Sequence, residues 1–440
     1  LRPTGFISLN NLRIIYSAAV GLLETTWIMQ NAYYHVEGDD TMAKPTFSKT
    51  VVGKVVNDVA NAQMNTFSTV GDLNNDGLPD IVISGRNGRM VWLENPGRPE
   101  GNWKQHLVAE VVGQECGGSL YDLTGNGYRD IINGGDGRND SIFWWENPGR
   151  SDKPWTQRVI AKTGNRQFHD TIIGDVKNDG RTYLVFDNQQ APGGTVIYCV
   201  PIPQDPTISP WPGLEIIASG KSEPNPHHPW RTDGIQPEEG LAIGDVDGDG
   251  KNEVVNGTHW YKFTGAGWAG HKFATGYIST KCLVADVNGD GKNEIILSEG
   301  DPVIYGKTQG GKVSYFTPGK DVTAMWTEHV IDDGLLDAHS LQAADLFGSG
   351  ALDLMVAEIG QCDRETDMYI TRPPRVMIYE NDGKGRFTRH IIDEGTGTHE
   401  ALLVDMLNRG RLDIVGKPLH GPEKWNIHVW YNAAGTPRGK

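Results

Sequence analysis

A nine-residue acidic turn, repeated along the chain, restricts this 440-residue sequence more than any other feature. The frame D-x-x-x-[D/N/S/R]-G-x-x-[D/E] appears at Asp72–Asp80, Asp245–Glu253 and Asp286–Glu294, with looser copies at Asp122–Asp130, Asp175–Tyr183, Asp345–Asp353 and Asp405–Asp413. Apolar runs lead into and out of it, as in Leu241-Ala242-Ile243 and Val254-Val255, so each copy reads as strand, tight polar turn, strand. The seven first aspartates lie 50, 53, 70, 41, 59 and 60 residues apart. A strand-rich period near fifty means a propeller more often than a solenoid.

Each repeat resolves into four strands. The inner one ends at the first Asp, and the second follows the turn. The third carries aromatics and ends in Asn, as in Val91-Trp92-Leu93-Glu94-Asn95, Phe143-Trp144-Trp145-Glu146-Asn147 and Met377-Ile378-Tyr379-Glu380-Asn381. The fourth reads W/F-x-x-H/R-x-[LIV], from Trp103, Trp155, Trp326 and Phe387. The last repeat stops after its third strand, at Asn432, while Phe47–Val52 fits the fourth-strand pattern at the other end of the chain. The expected fold is therefore all-β: a seven-bladed β-propeller closed by an N-terminal outer strand in the last blade. That pairing removes the open sheet edges. Residues 45–440 then form one domain, overriding the two or three that length alone suggests. Residues 1–44 lie outside the repeat. They are expected to be an extension or the remnant of a signal region around Ile14–Leu23.

A net charge of −16 argues against nucleic acid or an anionic membrane as partner, and no apolar stretch is long enough to span a bilayer. A monomer is expected. The four cysteines leave the redox compartment open.

The acidic turns offer hard oxygen ligands in alternation around a glycine: Asp245, Asp247, Asp249 and Glu253, then Asp286, Asn288, Asp290 and Glu294. Structural Ca²⁺ suits such a set. Side chains that tie the turn to its own backbone, without metal, are the alternative. Either role is structural.

The histidines fall into two groups. His106, His271, His329 and His390 share one slot of the outer strand, where a structural role is expected. His169, His339 and His399 sit six residues before the first Asp of their turns, a slot that holds Glu239 in blade four. This is the axial end of the inner strand on the face with the long insertions. Three imidazoles and a carboxylate converge there once the ring closes. His169, Glu239, His339 and His399 are thus candidate ligands for a divalent ion of unspecified identity, and the three histidines are candidate catalysts. A polar, solvated channel mouth is the plain alternative. The insertion Lys221–Gly240 adds His227, His228 and Arg231 as catalytic candidates. Arg166, Asn188, His259 and Lys417 are candidate sugar-binding residues on the same face.

The repeat resembles the FG-GAP/VCBS family of seven-bladed propellers. Within it, the W-x-x-H outer strands, the E-N-P-G turns and the His-bearing inner strands resemble rhamnose–glucuronate polysaccharide lyases and the propeller part of aldos-2-ulose dehydratase. The resemblance implies elimination of a group β to an acidified C–H, on a uronate-containing polysaccharide or a keto sugar. It favours a lyase cleaving a rhamnosyl-glucuronate linkage, with a sugar dehydratase or a non-catalytic glycan- or protein-binding propeller as the alternatives. It also implies an extracellular setting.

Overall fold

The computed structural model describes residues 46–57, 64–149, 152–363 and 365–433. The expectation of an extension or signal remnant over residues 1–44 lies outside these. Among the described residues there are strands and no helices, and the strands form seven antiparallel sheets. Each sheet begins with an inner strand. These are Phe67–Gly71, Gln114–Tyr121, Phe168–Gly174, Leu241–Gly244, Thr280–Ala285, Ser340–Ala344 and His399–Val404 in blades one to seven.

The last blade is built from both parts of the chain. Phe47–Lys54 pairs antiparallel with Asn426–Asn432, running from Phe47 opposite Asn432 to Lys54 opposite Asn426. Val52 and Val55 are buried there with Trp103 of blade one, whose backbone N–H donates to the Val52 carbonyl at 2.7 Å. The closing strand thus joins the first blade to the last. Blade three departs from the four-strand plan. Part of the Lys221–Gly240 insertion is itself extended, and Ile235–Pro237 pairs with Glu215–Pro224 as a fifth strand.

Second strands are apolar on both faces because both faces meet a neighbour. Ile81 and Ile83 pack with Val404 and Val429 of blade seven, while Val82 packs with Leu120 and Ile131 of blade two. Side chains alternate along a strand, so a continuous apolar run is needed wherever blades flank both sides.

The acidic turn is a self-contained hydrogen-bonded unit. Its first Asp accepts at least two backbone N–H groups in every copy; Asp245 takes those of Gly248 at 2.8 Å and Gly250 at 3.0 Å. The glycine at position six has φ between 71° and 88° in all seven copies, from Gly410 to Gly77, which is why the frame keeps glycine there. Lys262 places its ammonium among Asp247, Asp249 and Glu253, 2.6 Å from Asp249. In the next copy Asn288 donates to Glu294 at 2.6 Å.

Position nine links the turn to the rest of the blade. Asp130 accepts from Leu123 N–H at 2.9 Å and from Asn147 N–H at 2.8 Å. Asn147 in turn donates its amide to the Leu73 carbonyl of blade one. Asn95 and Asn381 make the equivalent bonds to Met406 and Val287 of adjacent blades. The aromatic-Glu-Asn signature of the third strand is therefore an inter-blade staple. The outer-strand histidines lie across from the third-strand aromatics: His106 stacks on Trp92 at 4.1 Å and His329 on Tyr315 at 4.6 Å.

Candidate functional site

The inner strands bring their first residues to the axis on the insertion-bearing face. His169 and His339 have ring centroids 5.3 Å apart, and His339 stacks on His399 at 4.2 Å. Glu239 lies between two of these rings, with Oε2 3.4 Å from His169 Nε2 and 3.8 Å from His339 Nε2. Glu239 is fully buried there, and Gln189 and Ser279 both donate to its carboxylate.

Beneath the rings lies an ionic layer. Lys281 reaches Asp170 at 2.9 Å and Glu400 at 3.5 Å, and Glu400 accepts from Gly117 N–H at 2.9 Å. Burial penalises the Lys281 charge, yet Asp170 and Glu400 raise its pKa well above the usual value. Asp170 also accepts from His169 Nδ1 at 2.7 Å, which sets the tautomer of that ring. Burial opposes protonation of His169, but Cys116, Glu239 and Asp170 outweigh it and raise its pKa. His339 and His399 go the other way. Burial, and then the ammonium groups of Lys281 (for His339) and Lys417 (for His399), hold both well below the ordinary imidazole range. They are neutral at physiological pH.

Lys417 is fully buried beside them. Its Nζ lies 3.2 Å from His399 Nδ1 and donates to the Thr66 carbonyl at 3.1 Å. Burial brings its amine down to about 8. Lys417 therefore belongs to the floor of the site, against His399 Nδ1. Of the four candidate ligands, His169, Glu239 and His339 bring ligand atoms within 4.8 Å of one another, a group without His399.

Above this floor opens a pocket of about 850 Å³. Its walls include Arg86, Arg231, His228, Trp230, Asp301 and Tyr305, with His169 and His399 at the base. Glu115 grips Arg86 through Nε at 2.9 Å and Nη2 at 3.2 Å. Arg231 pairs with Asp233 at 2.7 Å and reaches the Gln189 carbonyl. Trp230, His228 and Tyr305 form an aromatic wall, with ring centroids between 4.8 and 5.8 Å apart. Burial pushes the Tyr305 phenol well above its ordinary pKa, and Glu239 and Asp301 add to the rise. A second cavity of about 100 Å³ lies on the far side of Asp170, Lys281, His339 and Glu400.

Several candidates lie elsewhere. His227 and Arg166 are exposed and do not line the pocket. Asn188 is buried, with its Oδ1 taken by Val196 N–H, and His259 is bound to Glu238 at 3.0 Å. Both belong to blade packing. Glu299 and Glu358, at the ends of second strands, anchor their own insertions, through Lys307 at 2.6 Å and Arg372 at 2.6 Å. Conversely, Asp301 and Tyr305 sit in an insertion outside the repeat, so no register pointed to them. Their one sequence signal was membership of the long loop Glu299–Lys312.

No protein-family model matches the chain, and no curated protein matches it. Among solved structures, it is similar to the rhamnogalacturonan lyase YesW at 14% identity and a TM-score of 0.44, over 91% of this chain and 76% of that one. It is similar to the V. cholerae biofilm matrix protein Bap1 at 10% identity and a TM-score of 0.48, over 89% and 92% of the two chains. BBS1N, solved in complex with ARL6DN, gives 11% identity and a TM-score of 0.49, over 90% and 99%.

Proposed function

We propose that the axial pocket performs β-elimination on a uronate, cleaving a rhamnosyl-glucuronate linkage at the tip of a polysaccharide. The observation that carries this reading is a pair of proton-transfer groups, His399 and Tyr305, lining one deep pocket with guanidinium groups in its wall, and Lys417 buried against His399. A pocket with convergent titratable groups suits catalysis better than it suits a flat adhesion surface.

The division of labour follows from charge. Arg231 and Arg86 hold the uronate carboxylate, which lowers the pKa of the C5 proton. The neutral imidazole of His399 accepts that proton at Nε2, in the tautomer whose Nδ1–H donates to the Lys417 amine in its uncharged form, which a pKa of about 8 makes accessible. The C5–H electron pair forms the C4=C5 double bond as the C4–O4 bond breaks. Tyr305, kept protonated, gives its phenolic proton to O4 of the leaving sugar. Trp230, 58% exposed, offers a face to the sugar ring at the mouth.

The test is incubation with gum arabic and with uronate glycans that lack rhamnosyl tips, following the ultraviolet absorbance of an unsaturated uronate. Absorbance should rise with the first and not with the second. Glycan binding without any rise in absorbance would replace this reading with that of a binding module.

A further inference from the structure

A separate group of donors stands apart from the proton-transfer groups just described. His169, Glu239 and His339 each direct one ligand atom into a common volume, all within 4.8 Å of one another. Asp301 borders the same volume, with Oδ2 3.6 Å from His339 Nε2. The three separations that involve Nε2 of a histidine and a carboxylate oxygen are 3.4, 3.8 and 3.6 Å. Donors about 2.0–2.2 Å from a tetrahedral ion stand roughly 3.3–3.6 Å apart, so His169, Glu239 and His339 approach the spacing of three corners of such a shell, with Asp301 at its edge beside His339.

A second observation points to a missing partner. His339 is fully buried, and neither of its ring nitrogens has a hydrogen-bond partner. Oδ1 of buried Asp301 also lacks one. Buried polar atoms are nearly always satisfied, so an unmatched His339 Nε2 that faces the carboxylates of Glu239 and Asp301 requires explanation. The surroundings are arranged as a metal site arranges them. Asp170 accepts the Nδ1–H of His169 and so orients the ring with Nε2 toward Glu239.

We infer that His169, Glu239, His339 and Asp301 form a binding site for one divalent transition-metal ion of the Zn²⁺ or Mn²⁺ kind. Two imidazoles in the set disfavour Ca²⁺, which takes six to eight oxygens. The site differs from the set read from sequence by the exchange of His399 for Asp301. His169 and Asp301 line the pocket, so the ion faces the cavity and has room for a further ligand, such as a carboxylate. The inference does not depend on the elimination reading, because metal uptake is measured whether or not the protein turns anything over.

The experiment uses the full chain, stripped with chelator and titrated with Co²⁺, followed by visible d–d absorption and by metal analysis after dialysis. The wild type should retain one ion with the intense bands of a four- or five-coordinate nitrogen-and-oxygen site. His339→Ala should lose those bands. Losing a second-shell partner costs 10–100-fold in affinity, so the near-isosteric Asp301→Asn should weaken binding by at least about 100-fold while melting near the wild-type temperature. Asp249→Asn, in the acidic turn, should leave the spectrum unchanged. Only faint, all-oxygen octahedral bands, or a wild-type spectrum in both pocket variants, would overturn the inference. Zn²⁺ competition against a chromophoric chelator gives a second readout if His339→Ala does not fold.

Discussion

At the residue scale, two histidines separate function from architecture. His399→Ala should lower elimination by about 10²–10⁴-fold, the usual range for a general base, with the melting temperature nearly unchanged. His390, bound to Glu380 at 2.8 Å on the outer strand, should tolerate alanine with turnover close to wild type. Comparable losses in both would remove His399 from the chemistry. Lys417 gives the pH-dependent test. Its folded pKa, about 8, lies below the ordinary value of 10.5. Below about pH 8 both folded and unfolded states carry the proton, and the cost of burying the charge is present in full. Between 8 and 10.5 the unfolded chain binds more protons than the folded one, so this residue's contribution to stability rises with pH. Lys417→Met should accordingly raise the melting temperature at pH 7, with the gain shrinking as pH passes 8 and approaches 10.5, while turnover falls. A gain that grows with pH would refute the assignment. The three axial histidines were legible because a repeat register fixes where each strand begins around the ring. Lys417 was legible as a position but not as a buried ammonium, since burial depends on blades one and seven meeting. His227 and Arg166 were placed on the correct face, yet nothing in a loop sequence says which way a side chain turns.

At the element scale, the nine-residue turn and the third-strand Asn operate together. Blades one, two, six and seven have Asp at position nine and Asn95, Asn147, Asn381 or Asn432 to bond it. Blades four and five have Glu there and no such Asn. The longer Glu253 side chain keeps the bond from the turn's second N–H, that of Val246 at 2.9 Å, which Asp130 likewise accepts from Leu123, and its other oxygen lies 3.3 Å from Lys262. The pairing of Asp with Asn was present in the sequence and could have been read from it. Asn147→Ala removes amide bonds to Leu73 and Arg129 from a buried position, and should cost about 1–3 kcal/mol in denaturant unfolding. Asp249, whose side chain is 38% exposed and pairs with Lys262, should cost less than about 1 kcal/mol when changed to alanine. A larger loss at Asp249 than at Asn147 would mean that the turn itself, not the staple, holds the blades.

At the scale of the whole molecule, the ring depends on one strand that arrives from far away in sequence. Removing residues 1–56 deletes Phe47–Lys54, uncovers the edge of Asn426–Asn432 and exposes the pocket that Val52 and Val55 fill. The melting temperature should fall sharply, and soluble yield with it, since an uncovered strand edge is a template for aggregation. An unchanged melt would show that the ring closes without that strand. The layer of Asp170, Lys281 and Glu400 bears on something else, the traffic of substrate. It divides the large pocket from the small cavity beyond it, so among the described residues the well has a floor. A well with a floor is emptied the way it is filled. On the elimination reading proposed above, a polymer would not be threaded through the ring and cut in mid-chain; only a tip would reach the base, and the severed piece would have to back out before the next tip entered. Viscosity of a polymeric substrate should then hold steady while absorbance climbs, and the released fragment should compete with fresh substrate from the first turnover.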